Sequence, residues 1–302
     1  MTTSTTTTIK NQTFGVEIEL TGITRKTAAK VVANYFGTER EDLGTYYKAW
    51  GAKDSQGRTW KFMSDSSIYK INKFGNPTDN MEYSTEFVTP ILRYEDMNTL
   101  REIMNLLVAK GAIANKSTGI HVHVGADAHT AKTLATLLKL AVSREGLLYE
   151  ALGISHTREF KWCKKINKKL AEKAEKANTL HELETVWYSD VNEGGCNYIS
   201  HDHYNYTRYH GVNLHSFFTN KGVEFRYFNG TTDADKIEAY IQLCLGINAY
   251  AINNPDAKIS EIRKCETNRQ KYDRMWKFLF DMQMPTKSFR NLHKQLSAVW
   301  AQ

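Results

Sequence analysis

Residues Phe14-Gly15-Val16-Glu17-Ile18-Glu19-Leu20 constrain this chain more than any other stretch. Alternate side chains of a strand share a face. As a strand, this segment buries Val16, Ile18 and Leu20 on one side and holds Glu17 and Glu19 together on the other. Neighbouring carboxylates repel, and a purely structural strand gains nothing from the pair. A divalent cation reverses the sign of that interaction. An edge strand with solvated acids is the alternative for this segment taken alone.

Three later segments repeat the pattern. In Glu82-Tyr83-Ser84-Thr85-Glu86-Phe87-Val88-Thr89-Pro90, a strand over 81–88 puts Glu82, Ser84 and Glu86 on one face. In Gly119-Ile120-His121-Val122-His123-Val124-Gly125, His121 and His123 oppose Ile120, Val122 and Val124. In Gly222-Val223-Glu224-Phe225-Arg226-Tyr227-Phe228, Glu224 and Arg226 share a face and could pair with each other. Each segment alone fits an ordinary half-exposed strand. Together they describe a sheet with one dry face and one face carrying Glu, His and Arg. Oxygen-rich ligands suit Mg²⁺ or Mn²⁺, with a His best tolerated by Mn²⁺. An Arg beside such carboxylates suits a transferring phosphoryl group.

The remaining pattern alternates short strands with helices, which predicts an α+β fold with antiparallel pairings. Thr24 caps a helix that Gly37 ends. Residues 45–63 read as a hairpin turning at Asp54-Ser55-Gln56-Gly57. Helices are expected over 94–110, 129–151 and 233–253. Strands are expected over 212–217 and 222–228. Residues 189–211, rich in Tyr, Asn and His, read as a long loop that could cover a site. No linker separates two domains. The expected organisation is an extended or disordered lead-in over 1–12, a catalytic domain over 13–254 and a helical extension over 255–302.

The chain carries 40 Lys and Arg against 33 Asp and Glu, a net charge of +7 that favours anionic partners. The lysine-rich stretch 161–177 reads as one helix, either a solvated face or a phosphate-contacting one. Four cysteines (Cys163, Cys196, Cys244, Cys265) lack C-x-x-C spacing, and the N-terminus has no secretory signal, so a cytoplasmic protein is expected. No apolar run is long enough for a membrane span. The Walker A pattern, the Rossmann fingerprint and the nucleophile elbow are all absent. Two functions fit these residues by themselves: a metal-dependent phosphoester hydrolase and a non-catalytic basic nucleic-acid-binding protein.

These segments, in this order, resemble the amidoligase family, a branch of the carboxylate–amine ligases related to glutamate–cysteine ligase and glutamine synthetase. The matching pieces are Phe14–Leu20, Asp65-Ser66-Ser67-Ile68, Glu86–Leu92, Gly119–Gly125, Val223–Thr231 and Arg208-Tyr209-His210 with Asn213. The resemblance covers roughly residues 13–250. It implies a curved, mostly antiparallel sheet with helices on one side, wrapped around ATP and two or more Mg²⁺ or Mn²⁺ ions. It implies metal ligation by Glu17, Glu19, Glu86, His121 and Glu224, and phosphoryl stabilisation by Arg226. Asp65 matches the family's acid, with a turn-capping role as its alternative. His123, Arg208 and Asn213 are implied to contact substrate or nucleotide. The reaction implied is amide formation between a carboxylate substrate (amino acid, peptide or protein tail) and an amine, through an acyl phosphate. Related ligases often assemble into homo-oligomers.

Overall fold

The computed structural model describes residues 7–189, 196–260 and 267–300. The lead-in over 1–6, Cys265 and the 190–195 part of the expected loop lie outside the described residues. The fold is α+β. Nine strands form an open antiparallel sheet, β1 (Thr13–Leu20), β2 (Arg40–Asp42), β3 (Trp50–Lys53), β4 (Thr59–Met63), β5 (Thr85–Val88), β6 (Leu92–Arg93), β7 (Gly119–Val124), β8 (Val212–Asn213) and β9 (Val223–Asn229). Their hydrogen-bonded order is β2-β3-β4-β5-β1-β7-β9-β8, with β6 alongside β1. Among the described residues, no helix is long and apolar enough to cross a membrane. The chain divides into two compact units, each taken by itself below.

The unit of residues 13–122 and 228–240 holds β1 to β6, the start of β7 and helices α1 (Arg25–Phe36) and α2 (Met97–Ala109). Val16, Ile18 and Leu20 are buried, as their alternation predicts. Antiparallel register sets Ile18 opposite Phe87, and Phe87 opposite Phe62. The Phe62 and Phe87 rings stack 4.8 Å apart at 9°. Burying a side chain of this size contributes about 1.5–3 kcal/mol. Helix α1 packs on β3 and β4 through Ala28, Ala29, Val32 and Ala33, small residues that let it approach closely. The Thr24 hydroxyl caps its start by accepting from the Thr27 N–H, and Gly37 ends it at φ +69°. The 45–63 hairpin forms as β3 and β4 around the Asp54 turn.

One expectation in this unit fails. Strand β5 begins only at Thr85, because Met81–Tyr83 turns as a 3-10 helix capped by the Asn80 side chain. Glu82 is therefore exposed on a turn and leaves the acidic face.

The other unit comprises residues 1–12, 123–227 and 241–302. It holds α3 (Ala131–Ala151), α4 (His156–Trp162), α5 (Lys168–Ala174), α6 (Leu180–Ser189), α7 (Leu214–Phe218), most of α8 (Ala234–Asn253), α9 (Asn268–Asp281) and α10 (Arg290–Ser297). The C-terminal helices pack on α3 and α8: Lys271 pairs with Glu150 at 2.6 Å, and Trp300 donates to it at 2.9 Å. A Cβ at Gly246 would lie 2.4 Å from the Met284 sulfur, so that glycine lets the chain pass against α8.

Two expectations fail here. Residues 161–177 are not one helix: α4 ends at Trp162, and the Lys164 N–H donates to the Tyr209 carbonyl while the Gly211 N–H donates to that of Lys164. These bonds draw residues 163–167 alongside 209–211 before α5 begins. The expected strand 212–217 stops at Asn213, whose side chain accepts from the His215 and Ser216 N–H groups and starts α7.

Candidate active site

Strand pairing puts Glu19 of β1 directly opposite Glu86 of β5. Like charges placed directly opposite each other destabilise a sheet. Asp65 joins them, and one ligand atom each of Glu19, Asp65 and Glu86 lies within 4.8 Å of the others. Glu17, Glu86 and His121 form a second triad within the same limit. Glu86 belongs to both. The His121 Nδ1 lies 3.0 Å from Glu17 Oε2, and the Gly119 N–H donates to Glu19 Oε2 at 2.7 Å.

Ligand atoms around an octahedral ion with bonds of about 2.1 Å lie roughly 3.0–4.2 Å apart. The 4.8 Å limit that bounds both triads lies just above that range. Their donors, four carboxylates and one imidazole, fit Mg²⁺ or Mn²⁺.

A hydrogen-bonded scaffold holds Asp65. Its N–H donates to the Ser84 hydroxyl at 3.0 Å, and that hydroxyl donates back to the Asp65 carbonyl. Asp65 Oδ1 accepts from the Ser67 N–H at 2.6 Å. Asp65 thus caps a turn and also belongs to a ligand triad. The Ser84 segment is clamped by buried Arg25, which donates to the carbonyls of Met81 (2.5 Å), Ser84 (2.7 Å) and Lys48 (3.1 Å). Burial pushes the Arg25 guanidinium below its ordinary pKa, and Glu82 partly restores it.

On β9, in the other unit, Glu224 and Arg226 are both buried. Arg226 Nη1 donates to Glu224 Oε1 at 2.6 Å, and Asn213 Nδ2 donates to Glu224 Oε2 at 2.5 Å. Arg226 Nε donates to the Trp162 carbonyl at 3.3 Å, and its guanidinium sits 5.8 Å from the Tyr209 ring centre. His123 Nε2 is 3.9 Å from Glu224 Oε1, and its Nδ1 lies 3.3 Å from the Lys221 carbonyl. His215, bonded to the Tyr188 hydroxyl at 2.6 Å, is pushed down to about 4 by burial and by the charges of Arg208, His201 and Lys221. Arg208 itself bonds the His203 carbonyl at 2.8 Å and flanks Tyr204 and Tyr209.

Behind β9, Glu145 is buried, accepting from the Ile166 N–H at 2.6 Å and the Tyr227 hydroxyl at 3.2 Å. Burial pushes its carboxyl from an ordinary 4.5 up to about 8. The folded protein therefore prefers the neutral acid. This contribution to stability is fully present below about pH 4.5 and is lost as pH rises through about 8. The full swing corresponds to roughly 4–5 kcal/mol. Urea midpoints between pH 7 and 9 should fall more steeply for the native chain than for Glu145→Gln. Equal slopes would show that Glu145 keeps an ordinary pKa.

The structure thus brings Glu17, Glu19, Asp65, Glu86 and His121 together, and groups His123, Asn213, Glu224 and Arg226. It places Arg208 among tyrosines, hydrogen-bonded to the His203 carbonyl. Arg25 was not singled out from the sequence. Its signal was a cation in the first turn of a helix, where the dipole disfavours it.

No curated protein matches the chain at a significant level. A family described as "Putative amidoligase enzyme" matches residues 10–248. That span contains every residue of both groups and most of the chain. The chain therefore belongs to the amidoligase family and is a ligase-type enzyme.

Proposed function

We propose that this protein is an ATP-dependent carboxylate–amine ligase. The observation that carries the reading is the pair of ligand triads sharing Glu86, in a chain of this family. A carboxylate does not react with an amine because it lacks a leaving group. In the proposed reaction a substrate carboxylate oxygen attacks the γ-phosphorus of ATP and ADP leaves. The amine nitrogen then attacks the acyl carbon, phosphate departs, and the nitrogen loses a proton.

Glu17, Glu19, Asp65, Glu86 and His121 would hold the divalent cations. When bound, such ions neutralise the phosphates and align the transfer. Arg226 offers charge-assisted hydrogen bonds to phosphoryl oxygens. Glu224 and the Trp162 carbonyl hold its guanidinium in place, and Asn213 in turn fixes Glu224. His123, beside Glu224, is positioned to contact substrate or nucleotide.

Hydroxylamine can stand in for the unknown amine. Purified protein, ATP, Mg²⁺ or Mn²⁺ and a panel of free amino acids and peptides should yield a hydroxamate and ADP in equal amounts. ADP release without hydroxamate would favour the phosphoester-hydrolase reading. Neither product, together with no metal-dependent thermal stabilisation by ATP, would overturn the ligase reading.

A further inference from the structure

We propose that Trp162, Tyr204, Tyr206 and Tyr209 form a stacking platform for single-stranded nucleic acid.

Tyr209 is the hub. Its ring centre lies 5.5 Å from that of Trp162 and 6.1 Å from that of Tyr206. The Arg208 guanidinium sits 5.7 Å from Tyr209 and 5.9 Å from Tyr204. The Arg226 guanidinium also sits 5.8 Å from the Tyr209 ring centre. These contacts connect a buried Arg of the candidate site to a ladder of rings that ends in solvent-exposed Tyr204 and Tyr206. Tyr204 is 65% exposed and Tyr206 72%, so both rings reach solvent.

Single exposed aromatics are commonplace. A connected set interleaved with cations is not explained by that. The ladder is also held in an ordered frame. The Lys164 N–H bonds the Tyr209 carbonyl at 2.8 Å, the Gly211 N–H bonds that of Lys164 at 2.9 Å, and the Asn205 side chain caps the Thr207 N–H.

Charge selects the occupant. Lys161 and Lys164 flank Trp162, and the chain carries +7 overall. An acidic peptide would need the cations but not the rings. A single strand uses both, since every base has a π-face and every linkage a phosphate. The absence of a base-reading motif fits sequence-tolerant stacking.

Fluorescence anisotropy of the full chain with labelled mixed-sequence 20-mers tests this without turnover, so failure here and failure of the hydroxamate assay are separate results. Single-stranded DNA and RNA arms identify the sugar. Tyr204→Ala/Tyr206→Ala should weaken binding at least about ten-fold at an unchanged melting temperature. Lys161→Glu/Lys164→Glu should make the salt dependence shallower. The proposal is overturned by absent binding, by binding indifferent to the tyrosines, or by equally tight binding of poly-glutamate. Displacement of the oligonucleotide by ATP alone would assign the rings to the adenine and also overturn it.

Discussion

Glu86→Gln is expected to lower hydroxamate formation at least about 1,000-fold and to abolish the thermal shift produced by Mn²⁺. Glu86 supplies an atom to both ligand triads, so its loss weakens both ion positions at once. Losing several kcal/mol of charge stabilisation corresponds to that rate effect. The same variant should melt no lower, and even higher, than the native chain in chelator. Glu86 faces Glu19 across the β1–β5 pair, and removing one charge relieves their repulsion. Thermal melts with EDTA and with Mn²⁺ separate the two effects. A variant that loses stability in EDTA and keeps its Mn²⁺ shift would show that Glu86 is a structural residue.

Arg226→Lys is the second large effect. It keeps a positive charge but loses the planar fork that reaches Glu224, the Trp162 carbonyl and a phosphoryl oxygen together. Arg residues that stabilise a phosphoryl in transfer contribute about 10³–10⁵-fold, and a loss at the lower end of that range is expected. The ATP–metal thermal shift should survive, because the two ligand triads that share Glu86 are untouched. Arg226→Ala is the less informative variant. It leaves Glu224 buried beside an absent partner, at about 3–5 kcal/mol of stability. If Arg226→Lys turns over normally, the pair is structural and another cation meets the phosphoryl group.

Strand alternation made the acidic face legible before any coordinates. Val16, Ile18 and Leu20 could only be buried together, which left Glu17 and Glu19 on the other face. The same logic located His121, Glu224 and Arg226. Alternation does not show where a strand begins, and the Asn80 cap that starts the 81–83 turn takes Glu82 off that face. The strand expected over 212–217 ends early for a related reason: the Asn213 side chain caps α7 and also holds Glu224. The opposition of Glu19 and Glu86 was not readable at all. It depends on register between segments about 65 residues apart, which turn lengths and core packing decide. The role of Ser84 in holding Asp65, and that of Arg25 in holding Ser84, are likewise long-range and leave no local pattern.

The stacked rings of Phe62 and Phe87 have a consequence for how this protein can change over time. Phe87 is the chain neighbour of Glu86, and the two leave β5 on opposite sides. Any repacking that shifts or tilts Phe87 must therefore move the shared carboxylate. A lineage exploring new cores would be tuning ion affinity with each step, and one exploring new ion preferences could do so without touching a ligand. Apolar residues that never meet the substrate thus offer the chain a route to altered chemistry.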